Sequence, residues 1–437
     1  MKPTTVRTFG PGRRRLGGVL VVASLGLIGL MTLMPVAPSI TLPHACIVCG
    51  PLGGVDFAAN VVLFTPLGFG LMWLTGRYGT TVAAAFAVTL AVESLQLLIP
   101  GRFASLGDLL ANALGAVLGA WVACNGTGWL VATGSQALRL SLGLSALVAA
   151  WIVTSAVLLL PAPPSVLQQV QWAVLRVNHD SFPGRIRSVE LNDRFLRPAL
   201  GLHGTWVVDP SSGGTVLRSV IDGPIPATRR KAIIVRTSNF REEGLFFGQW
   251  GTAAIIRTHQ VASFARLRPI MVKLDGAFGG AGRGDEGNSP VTIEGHSDRR
   301  RLTLSRDAGG DHLEVTVRRT PGLGWTVLLP WDVAIDNDWW LLNAAWLAIL
   351  IVPVAYTSQR ARKGPEPDQP AARAWWTPLG LIAASLLGAP LLTGTSHMAP
   401  TEWGGVVIGL AAAWALSYLT SHRVSLKAPR SATTAGV

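Results

Sequence analysis

Runs of about 20 apolar residues, the length a helix needs to cross the hydrocarbon core of a bilayer, recur along this chain in two blocks. Leu16–Val36, Phe57–Leu74, Thr80–Ile99, Leu106–Ala123 and Leu140–Leu160 lie before residue 161. Trp339–Tyr356, Trp375–Leu392 and Trp403–Leu419 lie after residue 338. Lipid offers no hydrogen bonds to an exposed backbone, so such runs are read as helices. The expected fold class is a multi-span α-helical membrane protein of about eight transmembrane helices. A mean hydropathy of +0.40 and a charged fraction of 14% over 437 residues agree with it. Basic residues before Leu16 also fit a signal peptide, but no small-residue cleavage site closes the run, so an uncleaved first helix is expected.

Between the blocks the composition changes. Residues 165–338 hold 22 basic and 18 acidic residues and read as short strands separated by turns. The strands expected are Gly204–Val208, Thr215–Ile221, Lys231–Thr237, Leu245–Trp250, Ala253–Thr258, Ile270–Leu274, Val291–Glu294, Arg301–Ser305, His312–Arg318 and Trp325–Leu329. Many short strands with regular turns indicate an inserted all-β sandwich or jelly roll. Ala277–Ser289, with its glycines, is expected to be a loop.

Charge gives a topology. Of the net +13, +9 lies outside the β stretch, in the N-terminal cluster, Arg77, Arg139, the 360–373 segment and the tail. With the N-terminus inside and the spans alternating, every one of these segments is cytoplasmic, as the positive-inside rule asks. The expected organisation is a cytoplasmic basic N-terminus (1–16), a five-span bundle (17–160), an extracytoplasmic β-sandwich domain (165–337), three C-terminal helices (339–420) and a cytoplasmic basic tail (421–437). Trp331, Trp339 and Trp340 suit an interfacial aromatic belt. A basic face toward anionic lipid accounts for the surplus charge better than nucleic acid does, since Lys/Arg clusters interleaved with aromatics are missing from the soluble stretch.

The apolar block before residue 161 retains only three carboxylates, Asp56, Glu93 and Asp108, although insertion scales charge roughly 2.5–3.5 kcal/mol for such a group at a helix centre. Topology brings all three, with Arg102, to the outer membrane face. Glu93 lies six residues before Ile99, or about 9 Å inward. Asp56 and Asn60 share one helical stripe, Asp108 and Asn112 another, and Glu93 and Gln96 a third. One reading is a site with Glu93, Arg102 and Asp108 as best catalytic candidates and Asp56, Asn60, Gln96 and Asn112 as ligand-binding residues. In it, Glu93 is a general base and Arg102 holds an anionic headgroup. The other reading is structural, with Asp56 and Asp108 capping their helices.

The run Asp56-Phe-Ala-Ala-Asn60-Val-Val-Leu-Phe64-Thr-Pro66-Leu-Gly68, then Glu93-Ser-Leu-Gln96, then Arg102 and Asp108-Leu-Leu-Ala-Asn112-Ala-Leu-Gly115 resembles the VanZ-like family over about residues 20–125. That family takes its name from a teicoplanin-resistance protein. The resemblance implies a bacterial cytoplasmic-membrane protein of the cell envelope and assigns no reaction. The β stretch, with Phe247-Gly-Gln-Trp-Gly251, looks like a concanavalin A-like or laminin-G-like jelly roll, which implies a glycan-binding module on fold analogy alone. The functional expectation is therefore a protein that acts on or binds a surface lipid, glycan, lipid-linked cell-wall precursor or glycopeptide antibiotic. The alternative is a transporter or an interaction protein without catalysis.

No cofactor or metal is indicated. His179, His203, His259, His296 and His312 are scattered without ligand spacing, and Ser181, Ser238 and Ser305 lack a nucleophile-elbow context. Cys46 and Cys49, expected outside the cell, suit a local disulfide, while Cys124 reads as a packing residue.

Overall fold

The computed structural model describes residues 9–35, 45–46, 52–100, 102, 104–163, 168–176, 178–196, 205–206, 214–222, 225–238, 242–279, 290–363 and 374–427. The chain is a helical membrane protein with a two-sheet β region between its fifth and sixth long helices. The helices are α1 (Pro11–Thr32), α2 (Gly53–Thr75), α3 (Tyr78–Gln96), α4 (Leu106–Val131), α5 (Gly134–Leu158), the short α6 (Val261–Phe264) inside the β region, α7 (Trp340–Arg362), α8 (Thr377–Thr393) and α9 (Pro400–Lys427).

Seven of the described helices are long and apolar enough to cross a membrane. The expected span Trp375–Leu392 is instead the 17-residue α8, shorter than the other seven. Pro378 sets its first turn, and Gly394 ends it in a left-handed cap with φ 73°. At 1.5 Å per residue α8 reaches about 25 Å, short of the usual hydrocarbon thickness.

Helix ends sort into two layers. The C-terminal end of α1 meets that of α3, where Gln96 Nε2 donates to Thr32 O at 3.1 Å. The N-terminal end of α2 touches the β region, where the Gly54 amide donates to Arg266 O at 3.2 Å. Arg319 Nη1 donates to Leu159 O at the end of α5 at 2.6 Å, and Thr320 donates to Glu402 at the start of α9. Basic side chains collect at the opposite ends: Arg360 donates to Val131 O and Ala132 O beyond α4, and Arg13 stacks over Trp73.

Small residues let α2 and α4 approach backbone to backbone. A Cβ at Gly68 would collide with Ala116 O, one at Gly115 with Val61 O and one at Gly119 with Thr65 O. Tight van der Waals packing of this kind replaces the hydrophobic effect as the association force between helices in lipid.

Strands β1 (Ala45–Cys46) and β2 (Ala104–Ser105) pair with each other in parallel beside the first helices, and the β region itself has two larger sheets. These use β3 (Gln168–Trp172), β4 (Arg185–Leu191), β5 (Arg194–Phe195), β6 (Thr205–Trp206), β7 (Thr215–Asp222), β8 (Ala232–Ser238), β9 (Glu243–Trp250), β10 (Ala253–Thr258), β11 (Met271–Leu274), β12 (Val291–Ser297), β13 (Arg301–Ala308), β14 (Asp311–Arg318) and β15 (Ala334–Ile335). The seven-stranded sheet runs β15-β11-β10-β9-β8-β3-β6 and the six-stranded sheet β14-β13-β12-β7-β4-β5. Ile234, Phe247, Ile256 and Val272 of the first meet Leu217, Ile221, Ile293, Leu304 and Val317 of the second in one core. Each fully buried side chain of this kind contributes about 1.5–3 kcal/mol.

Two strand expectations need correction. Trp325–Leu329 is not a strand: Pro321–Leu328 forms a 3₁₀ helix, because Pro321, Gly322 and Gly324 interrupt any ladder. Its Trp325 stacks on Trp339 and donates to Asn343 Oδ1 at 2.9 Å, joining the β region to α7. Conversely, Gln168–Trp172 and Arg185–Leu191 are strands that the charge and polarity of their exposed faces concealed. The expected Cys46–Cys49 bond and most of the Ala277–Ser289 loop lie outside the described residues.

Candidate functional site

The two acidic helix starts arise differently. At α4, Ser105 is the N-cap, its hydroxyl accepting from the Asp108 amide at 3.3 Å, so Asp108 is in the first turn. Leu52 stands at the N-cap of α2, with no side-chain cap bond, and Asp56 is in that first turn. Neither carboxylate is the cap itself. Both complement the positive end of their helix dipole.

The close α2–α4 contact aligns the two stripes. Asn60 is a side-chain hydrogen-bond partner of Asp108, and Asp56 lies within electrostatic reach of Asp108. Glu93, on α3, is buried and also within reach of Asp108. Its Oε2 accepts from the Ser105 amide at 2.9 Å, so the end of α3 is tied to the start of α4. Arg102 faces Asp56 electrostatically. Its Nε donates to Met34 O and its Nη2 to Met31 O, both at 2.9 Å, so much of its donor capacity ties down the C-terminal end of α1. Burial lowers the pKa of this guanidinium, partly offset by Asp56.

Residues 21–130 match the VanZ/LLP1 family model. This segment is therefore similar to the VanZ/LLP1 family, and it lies within a chain that is a helical membrane protein. The inserted β region carries no family match. No curated protein and no solved structure matches the chain. The glycines of the motif string have a packing explanation here, since Gly68 and Gly115 sit at the α2–α4 contact.

Beneath the carboxylates the VanZ-like domain holds polar atoms without partners among the described residues. Asn112 Oδ1, Gln96 Oε1 and Thr89 Oγ1 are all buried and all lack a hydrogen bond. A buried orphan of this type costs about 1–3 kcal/mol. Thr89, Glu93 and Gln96 share one face of α3 at i, i+4, i+7 spacing. The layer is thus rich in acceptors, with three carboxylates and two amide oxygens, while two of the five Arg102 N–H donors are engaged at the end of α1.

One residue of this neighbourhood has no signal in the VanZ-like motifs. Arg268, from the β region, lies within electrostatic reach of Asp56. It is buried and donates to Leu329 O at 2.8 Å, to Pro330 O at 3.0 Å and to Asp332. Only the fold brings it to α2, across more than 200 residues of sequence.

Proposed function

We propose that this VanZ-like protein binds the polar head of a cell-envelope amphiphile at the layer formed by Asp56, Asn60, Glu93, Gln96, Asp108 and Asn112. The head is one rich in hydroxyls or amines, as in a glycolipid, a lipid-linked precursor or a glycopeptide. The observation that supports this reading is the set of unpartnered buried acceptors, Asn112 Oδ1 and Gln96 Oε1, next to three carboxylates. Acceptors without donors are expensive in an apolar setting, and a donor-bearing ligand would supply what the described residues lack. Glu93, Arg102 and Asp108 remain the residues that would carry any chemistry on such a head.

The protein is proposed to sit in a bacterial cytoplasmic membrane with both termini inside and the β region outside. Two facts support this: the β region meets the helix ends bearing the carboxylates, and Arg360 and Arg13 lie at the other ends. The β sandwich is then proposed as a jelly-roll module that presents a wall glycan to the membrane layer. Arg194→Cys, at an exposed position of β5, should be labelled in intact cells by a membrane-impermeant maleimide. Protection until lysis would overturn the orientation.

The functional test is complementation of a deletion strain, scored by teicoplanin sensitivity and by lipid profile. Asp108→Asn and Asn112→Leu should each remove the deletion-reversing effect at wild-type protein levels. Glu93→Gln should remove it too while keeping the bond from Ser105. Full rescue by all three variants would reject the layer as the site.

A further inference from the structure

The seven-stranded sheet has a second buried face, turned away from the sandwich core. Ile233, Phe246, Ile255, Met271 and Ala334 form an apolar floor there, with Trp250 against it. Cross-strand register places Arg236, Phe246, Arg257 and Met271 side by side on β8, β9, β10 and β11, so both guanidinium groups project from this face. Arg257 lies over the Phe246 ring at 5.4 Å and Lys231 over the Trp250 ring at 4.8 Å.

Among the described residues these cations have too few anions. Glu243 is shared between Arg236 at 2.6 Å and Arg257. Asp332 is shared among Lys231 at 2.6 Å, Arg268 and, at 3.8 Å, Arg257. The exposed Arg176 adds a further charge near Arg236 and Glu243. Among the described residues, five bases therefore face two carboxylates, or three if Asp56 of α2 is included. Lys273 on the neighbouring strand does not change this balance in its favour, since it has its own partners, Asp275 and Asp336. Three of the four inner cations have side chains at most 12% exposed: Lys231, Arg236 and Arg268. Positive charge held this far from water calls for a counter-charge. Burial lowers the pKa values of Lys231 and Arg268, and Asp332 only partly restores them. Asp332 pairs with them from the segment leading to Trp339 and Trp340 at the start of α7, which the proposed orientation puts at the height of lipid headgroups.

We propose that this face, through Lys231, Arg236, Arg257 and Arg268 with Arg176 at its rim, binds the phosphate of a membrane lipid headgroup. Arginine pairs and a lysine suit the tetrahedral, multiply charged oxygen set of a phosphate. This site adjoins the acceptor-rich layer of the VanZ-like domain where Arg268 faces Asp56, but its binding readout does not depend on any phenotype of that layer.

The experiment uses the full chain in neutral detergent, titrated with short-chain phosphatidylglycerol, with diacylglycerol of the same chain length and with inorganic phosphate. Phosphatidylglycerol should bind and diacylglycerol should not. Arg176→Gln and Lys231→Gln should each weaken phosphatidylglycerol about tenfold, the size of one charge-assisted contact. Arg194→Gln, which removes a charge elsewhere on the β region, should leave the affinity unchanged. Arg176 is exposed, so its variant tests the site even if Lys231→Gln proves unstable. Competition by inorganic phosphate would assign recognition to the phosphate itself. Lipid binding without such competition would assign it to the membrane lipid as a whole. Equal binding of phosphatidylglycerol and diacylglycerol, or wild-type affinity in both Arg176→Gln and Lys231→Gln, would overturn the proposal.

Discussion

The VanZ-like layer and the adjoining face of the β region are opposites in polarity. The first concentrates acceptors: Asp56, Glu93, Asp108 and the unpartnered oxygens of Gln96 and Asn112. The second concentrates donors: Lys231, Arg236, Arg257 and Arg268 over an apolar floor. They meet where Arg268 faces Asp56. The two are also built by different forces. Glycine-mediated backbone contact holds α2 against α4, while the β region is held by a hydrophobic core and a network of ion pairs. Each half therefore fails under a different kind of substitution.

The largest difference should come from volume. Gly119→Leu would drive a side chain into Thr65 O and the Phe69 amide. Overpacking of a close contact costs about 1–3 kcal/mol when neighbours can shift, and backbone atoms cannot shift as side chains do. The expected outcome is loss of folded full-length protein, read by yield and by thermal unfolding in detergent. Gly388→Leu, on α8 with open space around the site, should behave as wild type. Equal yields for the two variants would mean that α2 and α4 are not held by this contact.

Charge deletion should act on the β region. Arg268→Ala removes the donor to Leu329 O and Pro330 O and one of the cations around Asp332. Truncating one partner of a buried pair typically costs 3–5 kcal/mol. Asp332 is half exposed and keeps Lys231, so about 3 kcal/mol is expected here. Urea unfolding of the full chain, followed by tryptophan fluorescence, measures it. A change below about 0.5 kcal/mol, the usual size for a surface site, would show that the network contributes little.

Acid should separate the halves again. Burial raises the Asp332 carboxyl, but Lys231, Arg257 and Arg268 outweigh it and bring its pKa down to about 2 from an ordinary 3.8. Glu243 is likewise pulled below its ordinary value, since Arg257 and Arg236 outweigh burial. A carboxyl whose folded pKa is depressed adds stability that is complete above the unfolded value. That stability is lost as pH falls through the folded value. The β region should therefore lose stability between about pH 4 and pH 2, and Asp332→Asn should flatten that part of the curve. Thermal midpoints recorded down the pH scale would decide it. An identical slope in the variant would remove Asp332 from the account.

Much of this contrast is legible in the sequence for physical reasons. Long apolar runs have few alternatives to spanning helices, and a carboxylate inside one is conspicuous. Helical phase is local, so Asp56 with Asn60 and Asp108 with Asn112 can be placed on stripes without a structure. Strands such as Ala253–Thr258, buried on both faces, also stand out by their apolar side chains. Long-range pairings do not. Arg268 sits in Phe-Ala-Arg-Leu-Arg with nothing to mark it, and its meeting with Asp56 and Asp332 exists only after the sheets close. The short α8 was legible to within two residues, the expected Trp375–Leu392 being Thr377–Thr393, with Pro378 in its first turn and Gly394 as its left-handed cap. The role of Arg102 was half legible. Its place in the layer follows from topology, but its donors go to Met31 O and Met34 O, which sequence spacing does not reveal.

The smallest stability effect, and the one most specific to a ligand-binding layer, is expected at Asn112. Its Oδ1 is buried without a hydrogen bond, one helical turn below Asp108. If the side chain served only the fold, replacing it with a similarly sized apolar residue would remove no bond to Oδ1 and would relieve the desolvation of that atom. Asn112→Leu should therefore leave the thermal midpoint unchanged or raise it, by no more than the equivalent of about 1 kcal/mol. An unpaired acceptor kept at the expense of stability is expected at functional sites, and the proposed function makes it a ligand contact. The same variant should then fail in the complementation test while its protein level stays at wild type. A fall in the thermal midpoint would reveal a structural partner for Asn112 and remove the main support for an acceptor-rich ligand layer. The basic face of the β region would then stand alone as the polar site near the membrane surface.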